Sequence, residues 1–142
     1  MHIVIIVSVD PRSDRAVYRQ VADILRGLIA DGTIVPGALL PSEKQLADTY
    51  GVGRDAVRQA IGLLRAEGLA RTIRGEGTQV RQPVERRPVP LLPRTHAIAR
   101  MPTEHERAEL DLDEGVPVIA IRTSKGHEDI HPADTVYLVA KD

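Results

Sequence analysis

The stretch PSEKQLADTYGVGRDAVRQAIGLLRAEG, residues 41–68, decides the fold. Pro41 stops the preceding segment and Ser42 opens a helix. Ser42 and Gln45 stand at the S-x-x-Q spacing of a capping box, in which each side chain satisfies a backbone N–H of the other residue. Leu46, Ala47 and Tyr50 point inward, leaving Lys44, Gln45 and Asp48 outside. Gly51 closes this short helix, Val52-Gly53 turns, and a second helix runs from about Arg54 to Glu67. Val57, Ala60, Ile61 and Leu64 face the core, while Arg54, Arg58 and Arg65 lie on the other side. A short helix, a tight glycine-containing turn and a second helix with arginines in its first turns make a helix-turn-helix.

Upstream, Val17, Val21, Ile24, Leu25, Leu28 and Ile29 recur at three- and four-residue intervals and predict a first helix over roughly Arg15 to Asp31. Ser13 or Asp14 supplies its expected cap, and Gly32 its stop. Pro36-Gly37 is a turn. Downstream, Gly68 ends the last helix. Leu69–Arg74 and Thr78–Arg81 read as two strands joined at Gly75-Glu76-Gly77, a hairpin with Arg74 and Gly75 at its tip. A hairpin directly after such a helix is a wing.

This order of elements points to duplex DNA. The major groove admits an α-helix, and arginine reads guanine through two parallel hydrogen bonds. Helix N-termini and basic side chains meet phosphates. Arg54 and Arg58 are one turn apart near the helix start, where such helices contact bases. Gly75, with no side chain, lets the wing tip approach a sugar-phosphate backbone closely. Taken singly, the arginines are an ordinary solvated face and the Gly-x-Gly tip an ordinary turn; their assembled order carries the specificity.

The 142 residues suffice for one ordinary domain or two small ones, and 42% hydrophobic content supports a core. Aromatics are 2%, with no Phe or Trp, so the core is aliphatic and aromatic platforms for single-stranded nucleic acid are argued against. The absence of Cys excludes disulfides, thiolate metal sites and cysteine nucleophiles. Net charge is −1, but residues 12–87 carry 13 Lys/Arg against 9 Asp/Glu, while residues 88–142 carry 6 against 10. A basic first part and an acidic second part suggest two roles. The apolar run Ile3-Val4-Ile5-Ile6-Val7 lacks a basic flank, is too short to span a bilayer and reads as a strand. With no export or membrane signal, the expected location is the cytoplasm.

The first half resembles the GntR family of bacterial regulators. The resemblance rests on Tyr18-Arg19-Gln20-Val21, Pro36-Gly37-Ala38-Leu39-Leu40-Pro41-Ser42-Glu43-Lys44-Gln45-Leu46-Ala47, Tyr50-Gly51-Val52, Arg54-Asp55-Ala56-Val57-Arg58-Gln59-Ala60, Leu64-Arg65-Ala66-Glu67-Gly68-Leu69 and Gly75-Glu76-Gly77-Thr78, in order and spacing. It covers about residues 15–82. It implies a homodimer on a short, roughly palindromic operator in double-stranded DNA. It also implies major-groove and phosphate contacts from Lys44, Arg54 and Arg58, and a wing tip at Arg74 and Gly75 that enters the minor groove. With Asp55, which stands inside the matched motif, these are the candidate DNA-binding residues. Two positions depart from the family's pattern. Gly53 replaces the usual Ser or Thr before Arg54 and offers no capping hydroxyl. Gln79 stands where an aromatic is common, which predicts a looser wing root.

Gln82 to Arg94 holds prolines at 83, 88, 90 and 93 and reads as a semi-rigid extended linker, with Arg86-Arg87 available for phosphate contacts. Beyond it, His96–Met101 predicts a strand, and Thr103 with Glu106 a second capping box on a brief helix ending near Leu110. Val116–Arg122 predicts a strand, Ser124–Pro132 a loop, and Thr135–Ala140 a last strand. Arg100-Met101-Pro102-Thr103, the helix with Leu110, and Glu114-Gly115-Val116-Pro117-Val118 resemble the opening of the effector-binding (UTRA) domain of the HutC subfamily. That domain usually exceeds a hundred residues, so a truncated module without a full ligand cavity is expected.

His127-Glu128-Asp129-Ile130-His131 spells H-E-x-x-H. Zinc hydrolysis needs both histidines on one face of a helix. Here Gly126 and Pro132 flank the motif and apolar helical periodicity is missing, so a polar loop is expected, with no catalytic, metal or cofactor site. No nucleophile elbow, phosphate loop or dinucleotide fingerprint is present, and no enzyme is expected.

The expected fold class is α+β. Residues 1–82 form a winged helix-turn-helix of three helices plus a β-hairpin, 83–94 a linker, and 95–142 a small α+β effector or dimerisation module. The expected function is a sequence-specific transcriptional regulator, a repressor by preference. The alternatives are a module that has lost DNA binding and pairs with other regulators, and a repressor that senses a small-molecule effector through residues 94–142.

Overall fold

The structure is a computed structural model and describes residues 7–142. The strand expected over Ile3–Val7 falls on residues 1–6, outside the described ones, and on Val7, which has no regular structure. The chain divides into two compact units, Met1–Gln82 and Pro83–Asp142.

The first unit is a winged helix-turn-helix: α1 (Val17–Ala30), α2 (Glu43–Tyr50), α3 (Arg54–Ala66) and the antiparallel hairpin β1 (Ala70–Ile73) and β2 (Gly77–Val80). Its core is aliphatic. Val21 and Leu25 of α1, Val57 and Leu64 of α3, and Val80 of β2 are essentially fully buried, with Leu46 and Ala47 of α2 in the same cluster. These are the apolar positions at helical spacing, and their burial holds the three helices together at roughly 25 cal/mol per Å² of apolar surface removed from water.

The start of α1 differs from expectation. Neither Ser13 nor Asp14 caps it; Ala16 is the N-cap and makes no side-chain bond. Gln20 acts instead, since its amide donates to the Asp10 and Arg15 carbonyls at 2.8 and 2.7 Å and its oxygen accepts from the Asp10 N–H at 2.9 Å. A residue one turn inside the helix thus fastens the incoming chain. The α2 capping box forms as expected, with Ser42 and Gln45 each bonding the other's backbone N–H. Gly51 follows at φ 64°, a left-handed conformation that costs glycine little.

The wing is anchored beyond its own hairpin. Leu39 bridges Gln79, the Leu40 N–H donates to the Thr78 carbonyl and the Val80 N–H to the Ala38 carbonyl. The Gln79 side chain donates to the Gly37 carbonyl at 2.9 Å. At the position where an aromatic is common, the Gln79 amide thus supplies a directed bond to the turn before α2.

The second unit is a small β-rich α+β module. β3 (Arg87–Leu91) pairs in parallel with β7 (Val136–Ala140). β4 (His96–Arg100), β5 (Val118–Arg122) and β6 (Glu128–Pro132) form an antiparallel meander, and α4 (Glu104–Glu109) lies between β4 and β5 in the chain. Val89, Ile121 and Val136 make a core with Leu91, Ile119 and Leu138 packed against it. Thr103 and Glu106 form the expected capping box on α4, and Arg100 grips Glu106 through two bonds of 2.8 Å.

Two expectations are corrected here. The run read as a linker contains β3. Pro88 and Pro90 lack an N–H, and in an extended strand they share the side opposite to Arg87, Val89 and Leu91. The Arg87 N–H and the Leu91 carbonyl bond to residues beside or on the β7 side, Thr135 and Lys141, so the prolines occupy the open edge of the pair. The segment read as a loop over Ser124–Pro132 contains β6, whose register sets Ile130 opposite Ala120. H-E-x-x-H therefore runs into a strand, and the helical face that zinc hydrolysis requires is not formed.

Candidate nucleic-acid interface

α3 begins at Arg54 with Gly53 as an extended N-cap that makes no side-chain bond. The first backbone N–H groups of a helix have no intrahelical partner, and an uncapped N-terminus presents them with a positive dipole end. Arg54, Asp55 and Arg58 all lie in the first turns of this helix and are exposed. Helical periodicity buries Val57, Ala60 and Ile61 and turns the arginines outward.

One open groove of about 560 Å³ gathers three elements of this unit. Ser42, Glu43, Lys44 and Gln45 from the head of α2, Arg54 from the head of α3, and Glu76, Gly77 and Thr78 from the wing line it. Lys44, Arg54 and the wing loop, distant in the chain, thus border a common recess. Arg74 and Gly75 sit in the turn between β1 and β2, both exposed, with Gly75 at φ 81° and open space where a Cβ would stand.

The candidate side chains differ in how they are held. Lys44 pairs with Asp48 one turn along α2 at 2.9 Å, both highly exposed. Arg58 donates from Nε to Glu43 Oε2 at 2.9 Å and from Nη1 to Asp55 Oδ1 at 3.3 Å. Asp55 is thus a partner of Arg58 as placed. Among the described residues, Arg54 and Arg74 carry no ion pair or side-chain hydrogen bond. Solvent-exposed pairs such as these contribute ~0–1 kcal/mol, so an incoming phosphate or base can displace or reorganise them at little cost. Arg65, on the same helix, is turned to the wing, where Nη1 donates to Thr72 Oγ1 at 3.2 Å.

Behind this surface a second set of charges ties α1 to the end of α3. Arg26 bridges Asp23 at 2.8 Å and Glu67 at 2.7 Å, and Arg15 also reaches Asp23 at 2.6 Å. The hydrogen bond from Arg26 holds the Glu67 carboxyl below its ordinary value, and that from Arg15 does the same to Asp23. Glu43, Gln79 and Gln20 are the side chains of this region whose roles escaped sequence reasoning. Their bonds reach across 15, 42 and 10 residues, and no local pattern announces them.

Comparison with known proteins finds relatives of the first unit. A family model described as bacterial regulatory proteins, gntR family, matches residues 17–80. The chain is 41% identical over 68 residues to the mannosyl-D-glycerate transport/metabolism system repressor MngR of Escherichia coli, covering 48% of this chain and 28% of that protein. It is 36% identical over 76 residues to the transcriptional repressor NagR of Bacillus subtilis, covering 54% of this chain and 31% of that one. These matches span less than a third of either relative's length. Among solved structures, YtrA from Sulfolobus acidocaldarius, a GntR-family transcription factor, superposes with a TM-score of 0.50 at 34% identity, covering 54% of this chain and 81% of that one.

Proposed function

The chain belongs to the GntR family of bacterial regulatory proteins, a family of DNA-binding transcription regulators and not of enzymes, and from this premise we propose that it is a repressor that occupies a roughly palindromic operator as a homodimer. The observation that carries the proposal is the convergence of Lys44, Arg54 and the wing loop on one groove, with Arg58 exposed on the same helix as Arg54. In this proposal α3 lies in the major groove. Arg54 and Arg58 read bases, Lys44 and the α3 N-terminus meet phosphates, and Arg74-Gly75 reach the minor groove. The repressor names of MngR and NagR favour repression over activation. The cytoplasm is its proposed place of action; among the described residues no helix is long and apolar enough to cross a membrane.

Homodimerisation is assigned to residues 83–142. The support is exposed apolar side chains on strands of that unit, with Ile98 on β4 at 54% and Val139 on β7 at 43% exposure. A dimer would set its two α3 helices about 34–36 Å apart, or a multiple of that.

A second reading makes the same unit a sensor. An open cleft of about 330 Å³ is lined there by Arg87, Thr95, Thr123, Asp129 and His131 among others. That volume sits at the lower end of the ~300–1,000 Å³ of small-molecule sites. Ligand-dependent stabilisation in a thermal-shift screen of metabolites would favour sensing, and none would favour dimerisation alone.

The deciding experiment is a fluorescence-anisotropy titration of the DNA upstream of the chain's own coding region against scrambled DNA, at two salt concentrations. Tight, selective, salt-sensitive binding that Arg58→Ala abolishes is expected. Weak, equal binding to both would favour a module that pairs with other regulators.

A further inference from the structure

Resting on the homodimeric reading, we propose that the free edge of β7 is the seam at which two copies join, each β7 pairing antiparallel with the other. In the parallel pair β3–β7 the Arg87 N–H donates to the Thr135 carbonyl and the Lys141 N–H to the Leu91 carbonyl. A strand residue directs its N–H and C=O to one side and its neighbour to the other, so the odd-numbered residues of β7 bond to β3. Val136, Leu138 and Ala140 turn their backbone groups to the opposite edge. Among the described residues of this unit, no strand lies beside that edge and nothing bonds to those groups.

The other outer strands of the unit are guarded. Pro88 and Pro90 close the open edge of β3, β4 carries His96 and Arg100, and β6 carries Glu128 and Asp129. Prolines and charges keep a lone edge from pairing with another chain. β7 reads Val-Tyr-Leu-Val-Ala and holds neither. The strand is also complementary to itself. A two-fold axis at Leu138 sets Val136 opposite the partner's Ala140, and at each such pair the outward backbone groups exchange both bonds. The same register sets Tyr137 opposite the partner's Val139. These two side chains are exposed, at 47% and 43%, on the face away from Val136 and Leu138, which pack in the core. An aromatic facing a β-branched residue across antiparallel strands is a stabilising pair, and the axis makes it on both sides.

The test uses the full chain in solution. Ala140→Pro removes an N–H that β3 does not use, as Pro88 and Pro90 do on the other edge of the pair. Light scattering at micromolar concentration should find wild type as a dimer and A140P at half that mass, with far-ultraviolet circular dichroism to verify folding. Disulfide trapping fixes the register, and the chain has no cysteine to confuse it. Facing residues of a non-hydrogen-bonded antiparallel pair have Cα atoms about 4.5 Å apart, within reach of a disulfide. In this register Tyr137 and the partner's Tyr137 lie roughly 8 Å apart, beyond that reach, and so do the two Val139 residues. Mixed Tyr137→Cys and Val139→Cys chains, oxidised with copper–phenanthroline, should therefore give a linked dimer that neither variant gives alone. A folded A140P that stays dimeric would overturn the seam and leave the homodimer standing. So would a dimeric wild type whose mixed cysteine chains remain unlinked, and this second arm decides alone if A140P does not fold. A monomeric wild type would instead remove the homodimeric reading, and the seam with it.

Discussion

The Gln79 side-chain amide donates to the Gly37 carbonyl at 2.9 Å, joining the second strand of the wing to the turn that precedes α2. The bond is partly buried and 42 residues long in sequence, and it lies beside the Leu39–Gln79 bridge. Together they make the wing a three-segment structure instead of a lone hairpin, which on its own is marginal in water.

Gln79→Ala removes this donor and leaves the Gly37 carbonyl short of a partner. The expected loss is about 1 kcal/mol, typical of one hydrogen bond. Hydrogen exchange should show faster opening of the β1–β2 amides while the α1 and α3 amides keep their protection. Unchanged wing protection would mean that the backbone ladder alone anchors it.

Arg74→Ala tests the wing tip. Arg74 is exposed in the β1–β2 turn. If it neutralises a phosphate as the wing enters the minor groove, the slope of log K against log salt should become shallower by about 0.9 per half-site. The melting temperature should not move. An unchanged slope would show that the wing tip stays clear of DNA.

Leu64→Ala tests the α1–α3 core. Leu64 and Leu25 are both fully buried in the cluster that joins these helices. Truncation should destabilise the first unit by ~2–5 kcal/mol, the range for a buried leucine whose cavity only partly collapses. Chemical denaturation followed by circular dichroism would measure it, and a loss under 1 kcal/mol would mean that the site relaxes to fill the void.

Glu106 gives the second unit an acid dependence. The two bonds from Arg100, then the Thr103 backbone N–H, hold its carboxyl down at about 2, against an ordinary 4.5. A group with a lowered value in the folded state contributes stability that is complete above its unfolded value and is lost as pH falls through the folded one. Stability should therefore decline between about pH 4.5 and 2. Glu106→Gln should be less stable than wild type near neutrality, and the gap should close across that window. A gap that stays constant with pH would show that the charge contributes nothing.

Much of the first unit was legible in the sequence because its signals are local. Val57, Ala60, Ile61 and Leu64 recur at the helical period, Ser42 and Gln45 cap within one turn, and Gly51 and Gly75 take backbone conformations that other residues resist. Those features depend on neighbours three or four residues away, so composition and spacing contain them. They also place Arg54 and Arg58 on the outer face of α3 without any tertiary knowledge.

What only the tertiary structure decided was the choice of distant partners. Pro88 and Pro90 made residues 83–94 look like a linker, and only the parallel partner β7 turned Arg87–Leu91 into a strand with the prolines on its open edge. Glu128–Pro132 lacks an apolar alternation of its own and becomes a strand because β5 satisfies its backbone. Glu43 reads as one more charge at a helix start until folding brings Arg58 to 2.9 Å from it. A backbone or a charge can be satisfied by many partners, and which one it receives depends on how the aliphatic core packs the elements together, a property that no window of neighbouring residues contains.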